Sequence, residues 1–229
     1  MDKDYGTCAK CPFKNPERVC DTPEGKAPPF CSTYKYADII EKARQIYLND
    51  PQIRKLAHES ALQEASCYAR ADNDPHLNVP LKCRIQETIE FAKRMGYKRL
   101  GLAFCMGLSP EGAALAKILE ANGFEVVSAA CKVGGLEKSL IDIGPDDRVF
   151  PWRPHESMCN PVAQAMILNQ EKTEFNLMLG LCVGHDTMFL KYSEAPVTVV
   201  AVKDRLLANN PLAALYSGYY AFLKSPLKD

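Results

Sequence analysis

Residues Asn176–Asp186 read NLMLGLCVGHD. Seven of them, Asn176 to Cys182, are mostly apolar and carry no charge, as a strand buried on both faces of a parallel sheet requires. The run ends in Cys182, and Gly184, His185 and Asp186 follow at once. In an open α/β sheet, ligands sit outside the carboxyl ends of the strands, so a Cys and a His placed there face the functional edge. Two further strand-like runs also end in cysteine. Arg99–Phe104 (RLGLAF) precedes Cys105, and Phe124–Ala130 (FEVVSAA) precedes Cys131. Three cysteines at one edge of one sheet define a candidate site.

From Tyr97 onward the chain alternates strand and helix. Ser109-Pro110-Glu111 has the form of a helix start, with a cap, a first-turn proline and an early acid. The helix Glu111–Asn122 ends at Gly123. Cys131 leads into Lys132-Val133-Gly134-Gly135, and an irregular stretch, 136–158, holds Trp152 and His155. Cys159-Asn160-Pro161 opens a helix over Val162–Leu168 with Asn160 as cap. A short helix is expected after Gly184, a fourth strand over Val197–Val202, and a final helical stretch over Pro211–Leu223. This alternation demands right-handed crossovers: an α/β, Rossmann-like parallel sheet with helices on both faces. All strand carboxyl ends then share one edge. Cys105, Cys131 and Cys182 arrive there from strand ends and Cys159 from a helix start, without any common sequence spacing.

Upstream, residues 1–35 form a cysteine-rich, proline-bearing segment in which Cys8, Cys11, Cys20 and Cys31 are spaced C-x2-C-x8-C-x10-C. So short a piece, with so few large aliphatics, cannot hold itself together by core burial. A tetrathiolate metal would supply the missing folding free energy. A zinc ribbon would show a second C-x2-C knuckle, absent here, whereas an iron–sulfur cluster tolerates irregular spacing, so both remain open. Residues 36–81 read as a helical connector: helices over Tyr36–Leu48 and Pro51–Arg70, the second capped by Asp50, then a polar loop, Asp72–Pro80, with a solvated His76. A third helix, Leu81–Met95, is stopped by Gly96 and carries Cys83 in its first turn. Residues 82–229 are the Rossmann-like domain. Cys67 and Cys83 are as readily packed thiols as ligands.

At 229 residues the chain can bury a substantial core, and its 28 basic and 28 acidic residues cancel. With no basic stripe, nucleic acid and anionic membranes are unexpected partners. The amino terminus lacks an apolar signal core and no apolar run is long enough to span a bilayer, so a cytoplasmic location is expected. Ten cysteines in a reducing compartment point to metal binding or redox chemistry rather than disulfides.

Three chemistries suit four convergent cysteines. A [4Fe–4S] cluster takes Cys thiolates, its charge stabilised by backbone N–H groups of loops bearing Gly107, Gly134, Gly135 and Gly184. Zinc could take Cys together with His185. A thiol relay could use a low-pKa Cys159 at a helix start. His185 and Asp186 could orient a substrate or move protons, the plain alternatives being an edge imidazole and a helix cap. Lys203 and Arg205, flanking Asp204, could bind an anionic group or form a solvated turn. No dinucleotide fingerprint, Walker loop or G-x-S-x-G elbow is present.

The phrases GLAFCMGL, CKVGG, MCNPVAQAMILN, GLCVGHD and VKDRLLANNPLAALY, with the amino-terminal C-x2-C, resemble a family of cysteine-rich proteins of archaea and anaerobic bacteria, domain of unknown function 1847, described as metal-binding. The resemblance implies metal binding and no particular reaction. The resulting expectation is an iron–sulfur redox or cluster-dependent enzyme acting on a small molecule, or else a non-catalytic zinc or iron–sulfur module or electron carrier. A small-molecule substrate or a redox partner protein would be its partner.

Overall fold

The computed structural model describes residues 5–72 and 74–227. The chain divides into two compact units, the first ending at Ser66 and the second beginning at Cys67.

In the first unit, the cysteine-rich segment is irregular up to α1 (Ser32–Lys35) apart from a 3₁₀ turn at Cys8–Lys10, and Pro28 is the only residue buried among the described residues before α1. Two helices follow, α2 (Ala37–Asn49) and α3 (Pro51–Ala65). Asp50 caps α3 as its sequence position predicts, its carboxylate accepting from Gln52 N at 2.9 Å and Ile53 N at 3.1 Å.

The second unit opens with an antiparallel hairpin, β1 (Tyr68–Ala71) and β2 (Asp74–Pro80). This corrects two expectations. The helix begun at Pro51 stops at Ala65 rather than Arg70, and residues 74–80 are a strand rather than a loop. The backbone groups released after Ser66 find partners across the hairpin, from Tyr68 opposite Pro80 to Ala71 opposite Asp74.

Helix α4 (Arg84–Met95) begins after Cys83, which is its cap residue and not part of its first turn; left-handed Gly96 (φ 82°) stops it. Then come β3 (Arg99–Phe104), α5 (Ser109–Ala121), β4 (Glu125–Ala130), α6 (Pro161–Gln170), β5 (Phe175–Leu179), α7 (His185–Tyr192), β6 (Val197–Ala201) and a one-turn α8 (Ala213–Tyr216). Ser109 is the first helical residue of α5 rather than its cap, and its hydroxyl donates to Met106 O at 2.7 Å. The expected helix over Pro211–Leu223 is broken at Ser217, whose extended backbone separates α8 from a 3₁₀ stretch, Gly218–Lys224.

The four strands form one wholly parallel sheet in the order β4-β3-β5-β6. The α/β, Rossmann-like reading holds. All five residues of β5 are buried, as a central strand covered on both faces requires. Alternate residues serve opposite layers. Leu100, Leu102, Leu177 and Leu179 pack with Leu115 and Leu119 of α5 and Ile89 of α4. Ala103 and Met178 pack with Ala165 and Leu168 of α6 and Phe189 of α7. Gly101 allows the buried Asn176 to lie across β3, since a Cβ there would strike the Asn176 side chain. Asn176 accepts from Thr173 Oγ1 at 2.7 Å and donates to Ser193 Oγ at 2.8 Å, so its amide is paired.

Strand β5 ends at Leu179, three residues before Cys182. Gly180 takes a left-handed backbone (φ 65°), and a Cβ there would collide with the Leu108 side chain. The chain therefore turns off the ladder before reaching the cysteine. Among the described residues, no helix is long and apolar enough to cross a membrane.

Candidate functional site

Register sets the thiols side by side. Phe104 pairs with Ala130 across β3 and β4, so the next residues, Cys105 and Cys131, leave adjacent parallel strands about 4.8 Å apart. Two more ladder-like bonds fix their backbones: Cys105 N donates to Leu179 O at 3.0 Å and Cys131 N to Phe104 O at 2.8 Å. Asn160 N donates to Cys131 O at 2.6 Å, which brings the start of α6, and Cys159 before it, onto the same edge. The Asn160 side chain accepts from Ala163 N at 3.1 Å and caps α6, as its sequence position predicts. Beneath this row Gln164, fully buried, donates to Ala129 O at 2.7 Å and Phe104 O at 3.2 Å.

The result is a hydrogen-bonded row of thiols, Cys105 to Cys131 to Cys159. Met106 N also donates to Cys131 Sγ at 3.2 Å. The members differ in acidity. Its hydrogen bond with Cys131, together with burial, pushes the Cys105 thiol far up. Cys131 gains from its bond with Cys105, but its bond with Cys159 and its burial outweigh this, and it too is raised. Cys159, favoured by the bond from Cys131, is lowered to about 7. Cys159 is therefore the most readily ionised thiol of the row. Cys182 stands apart, its sulfur accepting from Arg205 Nη2 at 3.0 Å.

These four cysteines open on a cavity of about 680 Å³. His185 also lines it; burial lowers its pKa, and its Nδ1 is buried with no hydrogen-bond partner. Lys203 and Arg205 reach the cavity from the loop after β6, where Asp204 accepts from Leu206 N at 3.0 Å and Leu207 N at 2.8 Å and so fixes the turn between them. Gly107 lines the cavity as well, and a Cβ there would approach Lys203 Nζ to 3.5 Å and Cys105 Sγ to 3.8 Å. Gly134, Gly135 and Gly184 do not line it. They occupy left-handed turns (φ 89°, 59° and 85°), with Gly184 preceding α7. Asp186 does not line it either, and its carboxylate accepts from Thr187 N at 2.8 Å.

The far wall comes from 136–158, the stretch without periodicity, whose contribution sequence reasoning missed. It is organised around two ion pairs, Lys138 to Glu156 at 2.6 Å and Arg148 to Glu137 at 2.8 Å. Glu156 is 3% exposed and also accepts from Phe150 N at 2.9 Å. The Lys138 ammonium holds its carboxyl below the usual carboxylate range. The only sequence signal was a cluster of acids and bases among aromatics, which by itself reads as a solvated loop.

A soft donor set of three contiguous thiols and a fourth nearby suits thiolate-bound zinc or an iron–sulfur cluster, and a metal would displace the protons the row now shares. Among the described residues, no three His, Cys, Asp or Glu side chains stand at ready-made metal-binding geometry. All ten cysteines are unbridged. In the first unit, Thr7 N donates to Phe30 O at 3.3 Å, which lays the Cys8–Cys11 turn beside Cys31. Cys8 Sγ donates to Ser32 Oγ at 3.2 Å. Burial pushes the Cys31 thiol up, but hydrogen bonds from Thr33 and Tyr34 prevail and lower it. Cys20 is exposed on a separate turn closed by Val19 N to Lys26 O at 3.0 Å. Cys67 is buried in the second unit, and Cys83 is exposed.

Residues 31–200 match a protein family of unknown function, DUF1847. An uncharacterized protein of Methanocaldococcus jannaschii is 42% identical over 183 residues, which cover 80% of this chain and 86% of that protein. The chain belongs to the DUF1847 family. The DUF1847 match takes in Cys105, Cys131, Cys159, Cys182 and His185, and leaves Cys8, Cys11, Cys20, Lys203 and Arg205 outside. Among solved structures, the crystal structure of Dph2 from Pyrococcus horikoshii is similar at 18% identity and a TM-score of 0.34, over 63% of this chain and 33% of that one. The chain thus spans about a third of the Dph2 chain it matches.

Proposed function

We propose that this protein is a thiolate metalloenzyme whose sheet-edge centre works on a small molecule held in the adjoining cavity. The observation that carries this reading is the row of three hydrogen-bonded thiols, drawn from separate loops, opening on a cavity of about 680 Å³. A cavity of that size matches those of small-molecule sites, whereas a purely structural metal would be enclosed. Cys105, Cys131 and Cys159 would hold a [4Fe–4S] cluster, with Cys182 as the fourth donor. Such a cluster supplies one-electron redox chemistry and Lewis acidity. The protein's own part is to fix the thiols through the strand register and Gln164, and to hold the His185 imidazole at the cavity, where it could orient a substrate or pass a proton. Cys8, Cys11, Cys20 and Cys31 would hold a second, structural metal, zinc or cluster. Among the described residues of that segment Pro28 alone is buried, which supports this, because so little burial cannot stabilise it.

The test is anaerobic purification of the full chain followed by iron, sulfide and zinc assay. Cys131→Ser should lose the sheet-edge iron and sulfide while keeping the amino-terminal metal, and Cys8→Ser with Cys11→Ser should do the reverse. Iron and sulfide at background in the intact protein, or unchanged in Cys131→Ser, refutes the cluster.

A further inference from the structure

The lining of the cavity is mixed in character. Five cationic side chains line it, Lys132, Lys138, Arg153, Lys203 and Arg205, against two carboxylates, Asp147 and Glu156. Lys138 is spent on Glu156. Lys132, Arg153, Lys203 and Arg205 form no ion pair among the described residues. Lys203 and Arg205 stand on the thiol side, beside Cys105 and Cys182. Ile141, Ile143, Val149 and Phe150 add apolar lining from 136–158, interleaved with Lys138, Asp147 and Glu156. Phe150 is held there by Arg153, stacked 4.2 Å from its ring centre.

We infer that the cavity binds a small organic oxyanion, its charged head on Lys203 and Arg205 beside the thiols and its apolar body against Ile143 and Phe150. This rests on the reading of the cavity as a substrate pocket and adds the class of substrate. Two neighbouring cations line the cavity without carboxylate partners among the described residues, and a bound oxyanion would complete the pairing. Arg205 gives one amine to Cys182, which leaves its remaining donors for a second acceptor. Asp204 holds the turn, so both cations are positioned before any ligand arrives. A bare inorganic anion would fill little of the space, and the apolar lining calls for a carbon framework behind the charge.

Two fluorescent probes that differ only in charge test this on the full-length protein, prepared anaerobically. 8-Anilinonaphthalene-1-sulfonate carries an anionic head, and N-phenyl-1-naphthylamine is the same body without it. The anion should bind more tightly than the neutral probe. Lys203→Gln with Arg205→Gln should weaken the anion by about ten- to a hundred-fold and leave the neutral probe unchanged, as expected for loss of charge-assisted bonds. Lys203→Arg with Arg205→Lys should retain the preference, which separates charge from folding. Phe150→Ala should weaken both probes. Displacement of the sulfonate by phenyl phosphate or by phenylacetate supports the proposal, and the stronger competitor names the head group. Equal loss of both probes in the Gln variant, no effect of Phe150→Ala, or displacement by neither competitor overturns it. Metal is assayed on the same samples, so a protein that binds the anion but lacks iron refutes the cluster and leaves this inference standing.

Discussion

Gln164 is the strut on which the thiol row rests, and its replacement gives a sharp contrast between two near-isosteres. The side chain is fully buried, donates to Ala129 O and Phe104 O, and leaves its own Oε1 without a partner. Gln164→Leu removes two neutral hydrogen bonds worth about 1 kcal/mol each, but also removes the orphaned oxygen, whose burial costs about 1–3 kcal/mol. Phe104 O keeps its bond from Cys131 N. The net loss should therefore stay below about 2 kcal/mol. Gln164→Glu instead aims a carboxylate at two carbonyl oxygens in a closed site. Burial disfavours the charged form, so the folded-state pKa rises well above the ordinary Glu value of about 4.3. A rise of three units costs about 3.4 kcal/mol at pH 7, where the folded-state group is already partly protonated. With the folded pKa raised, full stability is present below about pH 4.3 and is lost as pH rises toward the folded value, so moving from pH 7 to pH 5 should return about 2.4 kcal/mol. Urea unfolding of reduced, metal-free protein at the two pH values measures both variants against the parent. If Gln164→Leu is as damaging as Gln164→Glu at pH 7, or if Gln164→Glu gains nothing on acidification, the strut argument is wrong.

In metal-free, reduced protein Cys159 should react with a disulfide reagent before Cys105 and Cys131, because it alone in the row is lowered, to about 7. Replacing Cys131 by Ala removes the bond that lowers it; return to the ordinary 9.0 cuts thiolate at pH 7 about fifty-fold, greater intrinsic nucleophilicity recovers about eight-fold, and stopped-flow rates should fall about six-fold. An unchanged rate, or labelling found first on Cys105 by mass spectrometry, contradicts this. Glu137 is lowered to about 2, chiefly by its hydrogen bond to Ser139, and Arg148 adds to the effect. Because its folded pKa is depressed, its contribution to holding 136–158 is present above about pH 4.3 and lost as pH falls toward 2. Trp152 fluorescence should report an acid transition in that window, flattened in Glu137→Gln; a transition of equal size in the variant counts against the ion pair as the clasp.

How much of this was legible in the sequence depended on what each segment uses to hold itself. Strands and helices from Tyr97 onward are stabilised by burial of regular apolar faces, and the alternation that announces a parallel sheet is visible in the residues themselves. Residues 66–80 were misread because Ala, Gln and Glu carry helix propensity through Ala65 and the hairpin that follows is set by pairing rather than pattern. The segment 136–158 gave no periodic signal because ion pairs and the buried Glu156 organise it. Its role as the wall of the site is a tertiary fact.

The thiol site shows the same division more finely. Which cysteines meet could be read from topology alone, since strand ends and the following helix starts share one edge. Their roles could not. Cys131 lies between its neighbours because β3 and β4 pair in register, Phe104 to Ala130, while Cys182 is carried past the ladder by the left-handed turn at Gly180. That turn separates Cys182 from the row and hands its sulfur to Arg205, 23 residues further along the chain. A one-residue shift in register would turn every side chain of the strand to the opposite face and exchange a thiol for an apolar neighbour. The division into a row of three and a lone thiol facing a cation therefore follows from packing across both layers of the sheet, which fixes that register.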